Sequence, residues 1–148
     1  MKLEFDSVEE VIEFVNKLNL NINSGSQFVT IDCGDYKLMV SDGRGDSYHN
    51  GNELVNFYEA QQWVDENCNA NKLGGYGDWV VPNRDELDLL YENKEMFKGD
   101  DSFYDFYYWS SSEYSATDAW RQSFYNGSQA SSNKTNYYYV RAVRRVTP

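Results

Sequence analysis

The sequence predicts an α+β domain, with helices in the first two thirds and a cluster of strands at the end. Three observations carry this reading. Apolar residues recur at helical spacing in three early segments, the chain from Tyr104 onward alternates in places with a period of two, and no internal repeat is found. A length of 148 residues suits one domain, 1–148, with enough core to fold; residues 1–53 hold a helix and a hairpin, and no linker is evident.

The first helix spans 8–18. Ser7 and Glu10 form a capping box, and Val8, Val11, Ile12, Val15 and Leu18 share a face. QFVTID and YKLMVS follow as short strands of a hairpin around Cys33-Gly34-Asp35, and 41–52 reads as a loop. A second helix opens at Asn56, with Glu59 at its third position and Ala60, Trp63 and Val64 on its buried face, and runs to Asn67. LGGYGDW (73–79) is a glycine-punctuated corner with Trp79 packed inside. A third helix opens at Asn83, with Glu86 three residues on, and covers 83–93. From Tyr104 onward Trp120, Gln122 and Phe124 alternate with Arg121, Ser123 and Tyr125. Tyr139, Arg141 and Val143 alternate with Val140, Ala142 and Arg144. These are strands joined by loops 112–118 and 126–136.

The net charge of −11 is uneven. Residues 106–148 carry a local +3, against −14 for residues 1–105. An acidic body disfavours nucleic acid and anionic membranes as partners, and is read chiefly as a solubility feature. No apolar run approaches the roughly 20 residues needed to cross a bilayer, and the acidic N-terminus lacks the apolar stretch of an export signal. Cys33 and Cys68 offer no metal-ligand spacing with the single His49; they either pair or stay as free thiols. Asp42, Asp46 and Asn50 fail the calcium-loop pattern, and Asp100, Asp101 and Asp105 read as a solvated loop. Arg44-Gly45-Asp46 spells an integrin-type tripeptide, which recurs by chance and is given no functional weight. No nucleophile motif accompanies His49, and no glycine loop is built for phosphate, so the chain is expected to bind without catalysing and to need no cofactor or metal.

The chemistry is concentrated in 108–145. Trp109, Trp120, Phe124, Val140, Ala142 and Val143 look like scaffold, and the residues between them are the Tyr, Ser, Asn, Thr and Arg that recognition surfaces use. The expected ligand-binding face comprises Tyr108, Tyr114, Ser115, Thr117, Asp118, Arg121, Ser123, Tyr125, Asn126, Ser128, Ser131, Ser132, Asn133, Thr135, Asn136, Tyr137 and Tyr138. Arg121, Ser123 and Tyr125 are expected to project outward together, opposite Trp120 and Phe124.

Four motifs in order, GGYGDWVVPNRDEL (74–87), YWSSSEY (108–114), AWRQSFYNG (119–127) and YVRAVR (139–144), resemble the Lcl C-terminal domain family over about 54–145. The resemblance implies a C-type lectin-like fold related to the formylglycine-generating enzyme scaffold, in monomers or trimers. Two departures stand out: the family's Arg-Leu-Pro is Val80-Val81-Pro82 here, and its closing cysteine is Ala142. The copper-ligating cysteine pair of that enzyme scaffold has no counterpart here.

The chain is also similar to the variable proteins of diversity-generating retroelements. Adenine mutagenesis there acts on asparagine codons and reaches fifteen residue types, but not Trp, Gln, Glu, Lys or Met. Between 115 and 138 the unreachable residues are Trp120, Gln122, Gln129 and Lys134. This resemblance implies a diversified protein on a phage tail or bacterial surface, recognising a protein or surface polysaccharide. The alternative is a fixed-sequence adhesin or glycan-binding domain.

Overall fold

The computed structural model describes residues 28–147. The helix expected at 8–18 lies outside them. Within them the chain is α+β, with two three-stranded antiparallel sheets and two α-helices.

The first sheet starts as the expected hairpin. Strands β1 (Val29–Asp32) and β2 (Lys37–Val40) pair in the register Val29↔Val40 to Asp32↔Lys37. Gly34 takes the left-handed conformation that the turn needs, φ 89°, and donates its amide to Asp32 Oδ1 at 2.8 Å. The third strand, β6 (Val143–Val146), comes from the far end of the chain and pairs with β2 from Lys37↔Val146 to Val40↔Val143.

Helix α1 (Phe57–Val64) begins at Asn56, whose side chain accepts from Glu59 N while Glu59 accepts from Asn56 N. A π-helical turn, Asp65–Asn69, prolongs it. That turn has a visible use: Asn69 accepts from Trp79 N at 2.7 Å and donates to Trp79 O at 2.9 Å, pinning the corner. Trp79 is fully buried and donates its indole N–H to Leu73 O. Helix α2 (Arg84–Glu92) repeats the device with Asn83 and Glu86.

The second sheet runs β3 (Tyr107–Glu113), β4 (Asp118–Ser123), β5 (Gln129–Asn133) in that spatial order. Between Trp109 and Glu113 the β3–β4 register shifts, and Ser110 Oγ donates to Trp120 O at 2.7 Å there. Strand β5 falls within the stretch expected to be a loop, 126–136. Its sequence, QASSN, carries none of the branched or aromatic residues that mark a strand, and it needs few because it is an edge.

Residues 138–142 tie the sheets together. Tyr139 N donates to Tyr107 O and Trp109 N to Tyr139 O, forming a parallel bridge to β3, while Tyr138 bridges Val55 and Arg141 bridges Asp46. Every residue from Tyr139 to Val143 is buried, so this segment has no solvent face. Two apolar clusters flank it. One gathers Trp63, Val64, Trp79, Trp109 and Ala142 beneath α1; the other gathers Leu87, Leu90, Phe103, Tyr108, Phe124 and Val143 beneath α2.

Between the sheets lies a buried ion pair. Arg141 and Asp46 are each 0% exposed and meet at 3.0 Å. Asp46 also accepts from Tyr108 OH at 2.8 Å and from Tyr48 N at 2.8 Å. Arg141 Nε donates to Ser41 O, Nη2 donates to Asp101 O, and the guanidinium lies 4.1 Å from the Phe103 ring centre. The pair is therefore fully hydrogen-bonded, the condition for burying charge.

Candidate functional site

The candidate residues divide among four places, and β4 explains why. Asp118, Trp120 and Gln122 point to one side of the second sheet; Ala119, Arg121 and Ser123 point to the other. Cross-strand partners extend each side: Ser131 and Asn133 join Trp120's, and Tyr107, Trp109 and Ser132 join Arg121's.

On the second side Arg121 lies over the Tyr107 ring at 4.1 Å and donates from Nε to Ser132 Oγ at 3.0 Å. Tyr138 OH donates to the same Ser132 Oγ, Asn136 donates to Tyr138 OH, and the Tyr107 and Tyr138 rings meet edge to face at 5.2 Å. A partly exposed patch of arginine, two tyrosines and small polar residues results.

The strand ends hold the exposed candidates. At one end the β3–β4 turn (Tyr114, Ser115, Thr117) lies against the loop carrying Thr135, Asn136 and Tyr137. Lys134 joins the two: its amide donates to Thr117 O, its Nζ donates to Glu113 Oε1 at 2.6 Å and to Ala116 O, and its own carbonyl accepts from Phe57 N. This lysine is 4% exposed although both its neighbours are on the surface. At the other end Tyr125, Asn126 and Ser128 occupy the β4–β5 turn, with Tyr125 73% exposed. Gly127 closes that turn at φ 84°, with the Tyr91 ring against the place a Cβ would take.

Two of the expected face residues are not on a face. Tyr108 is fully buried, held by Asp46 and by the Tyr104 amide that donates to its hydroxyl. Ser123 is also buried, and its Oγ accepts from the amides of Tyr125 and Asn126. The strand ends at Ser123, so Arg121, Ser123 and Tyr125 do not project as a set: Arg121 stays on the sheet, Ser123 caps the turn, and Tyr125 leaves into solvent. Trp120, expected in the core, is partly exposed instead, between the Arg84 guanidinium at 3.6 Å and the edge-on Tyr114 ring at 5.4 Å. Alternation along β4 gives two sides but not which side is covered.

Elsewhere the residues considered for other chemistry are committed. Asp46 of the Arg-Gly-Asp run is buried, and Asp42 chelates Arg44. Among the described residues no group of three or more His, Cys, Asp or Glu is placed to hold a metal ion. Cys33 and Cys68 are free thiols in different clusters, and burial pushes the Cys68 thiol up to about 12. An open cleft of about 430 Å³ lies between Asp42, Arg44, His49, Asn50 and Asp100, where His49 Nε2 is 2.6 Å from Ser102 O. No helix among the described residues is long and apolar enough to cross a membrane.

The fold and surface define a class: an α+β domain whose buried ion pair and interlocked sheets hold a Tyr-, Ser- and Asn-rich exterior. Residues 33–144 match the Lcl C-terminal domain, and the chain belongs to that family. The match starts at Cys33, so it takes in the turn and second strand of the first hairpin, while β1 (Val29–Asp32) precedes it. Family membership is consistent with an adhesin-like or ligand-binding role. A comparison with curated proteins finds no match.

Proposed function

We propose that this chain is a non-catalytic ligand-binding domain of C-type lectin-like fold, whose surface over 115–138 is diversified by a retroelement and displayed on a phage tail or bacterial surface. The observation that carries the reading concerns the four residues of that segment that adenine mutagenesis cannot write. Gln122 is buried and donates to Asp88 and to Gly127 O. Gln129 donates to Arg84 O and to Gln122 Oε1. Lys134 locks the two loops at one end, and Trp120 stacks beneath Arg84. All four are tied into the frame, while half of the twenty residues that mutagenesis can write, such as Ser115, Thr117, Tyr125, Asn133 and Tyr137, are exposed and only three are buried. A process confined to the second set changes contacts without costing the fold, because exposed substitutions usually shift stability by less than about 0.5 kcal/mol.

The partner is a protein or polysaccharide of a target surface. Tyr and Arg supply anchor groups, and Ser and Asn supply adaptable hydrogen bonds. The test is to sequence the DNA flanking the gene. A second copy of the 115–138 segment differing only at adenines, beside a reverse-transcriptase gene, is expected. Its absence leaves the fixed-sequence adhesin, which family membership alone favours. For binding itself, Arg121→Ala and Tyr125→Ala should weaken capture of the displayed target while the melting temperature stays within a few degrees; a large drop would make both residues structural.

A further inference from the structure

The side of the second sheet that carries Trp120 holds an uncommitted cation. Arg84 opens α2, its guanidinium lies 3.6 Å from the centre of the Trp120 ring, and Tyr114 stands edge-on to the same indole. Its side-chain hydrogen bonding is limited to a long contact from Nε to Gln129 Oε1, 3.5 Å. The remaining guanidinium N–H groups meet no acceptor, and Arg84 forms no ion pair among the described residues. Its nearest acids in sequence do not take it: Asp85 makes no ion pair among the described residues, and Asp88 accepts from Gln122. Four other arginines are paired, Arg44 with Asp42, Arg141 with Asp46, Arg144 with Asp78 and Arg145 with Glu86, while Arg121, over Tyr107 and bonded to Ser132, forms no ion pair among the described residues either.

We propose that Arg84, stacked on Trp120, is a constant anchor that receives an Asp or Glu carboxylate of a protein ligand, with the guanidinium fork as donor and the indole and Tyr114 as its walls. The inference rests on the binding reading above and deepens it. A planar guanidinium held against a ring is already ordered, so little entropy is lost when a carboxylate takes its free N–H edge. Arg, Trp and Tyr are the residue types that dominate binding hot spots. Neither Arg84 nor Tyr114 lies in the 115–138 segment, and Trp120 cannot arise by adenine mutagenesis, so the anchor persists while Asp118, Ser131 and Asn133 on the same side change. That small-polar surround has the composition of a protein-recognising surface, which favours a protein carboxylate over a sugar acid.

Intrinsic fluorescence isolates the site, because Trp63, Trp79 and Trp109 are buried and Trp120 is the partly exposed one of the four. The probe is a blocked tetraglutamate peptide, with blocked tetraglutamine and tetragalacturonate as controls. Tetraglutamate should change the tryptophan emission saturably and tetraglutamine should not. Arg84→Gln should weaken the response by about tenfold or more, the scale of one charge-assisted contact, at an unchanged melting temperature. Arg84→Lys keeps the charge and loses the fork, and should also weaken it. The proposal is overturned if the two peptides behave alike, if Arg84→Gln or Arg84→Lys titrates as the wild type does, or if tetragalacturonate binds where tetraglutamate does not. Failure here leaves the flanking-DNA test untouched, and a missing template copy leaves this titration untouched.

Discussion

Asp46 and Arg141 sit where charge is costly, and among the described residues each ion-pairs with the other alone. Asp46→Ala leaves the guanidinium buried and unpaired, and should cost about 3–5 kcal/mol in urea unfolding. Glu86 contributes on the acid side. Burial alone would raise its carboxyl, but the Arg145 guanidinium, the Tyr36 hydroxyl and the Asn83 amide outweigh that and hold it below the usual carboxylate range. Its folded form therefore releases a proton more readily than the unfolded chain does. The stabilisation is complete above the ordinary carboxylate range and is lost as pH falls through the lowered folded value. Thermal unfolding between pH 6 and pH 3 should show a shallower acid decline for Glu86→Gln than for the wild type. Neither role was visible in the sequence, where Asp46 sits in a Gly- and Asn-rich loop and Glu86 reads only as a capping partner. Ion pairs between residues 59 or 95 positions apart are set by topology, which local pattern does not encode.

At the scale of elements, the helix starts were legible and the strand faces were not. Asn56/Glu59 and Asn83/Glu86 announce their caps within four residues of sequence, and both boxes form. Asn83→Ala should cost about 1 kcal/mol, read as a lower urea midpoint at unchanged slope. Strand β5 was hidden because small polar residues carry no periodic signal, and its place is set by its first residue, Gln129, bonded to Arg84 and Gln122, and by Lys134 just past its end. Gln122→Ala would strand Asp88 and the Gly127 carbonyl, and should cost about 1–3 kcal/mol, whereas Ser131→Ala on the adjacent strand should move stability by less than about 0.5 kcal/mol. Equal effects in the two variants would mean that the frame and the surface are not separate.

Across the whole molecule, the separation predicts where diversity is tolerated. Four positions in 115–138 can be rewritten by adenine mutagenesis yet are fixed by packing: Ala119, Ser123 and Phe124 are buried, and Gly127 holds a left-handed turn under Tyr91. In a template copy these four codons should carry no adenine open to mutation, whereas the codons for Thr117, Tyr125, Asn133 and Tyr137 should. A display library randomised at Thr117, Tyr125, Asn133 and Tyr137 should stay largely folded by protease resistance, and one randomised at 119, 123, 124 and 127 should not. Family membership and the α+β class could be read from motif order, because the glycine corner and the tryptophans are local. The site's division into separate patches could not, because it depends on where β4 stops and on which side α2 covers.

The segment that joins the sheets has a further consequence for how the chain matures. Arg141 reaches Ser41 across 100 positions, and β6 completes the sheet begun by β1 and β2. A nascent chain emerging from the ribosome cannot complete the first sheet until these late residues appear, so the early hairpin must wait with one edge open. Closure dominated by such distant pairings is slow and prone to association during the delay. A premature stop before Tyr138 would consequently yield aggregate, not a smaller binding module.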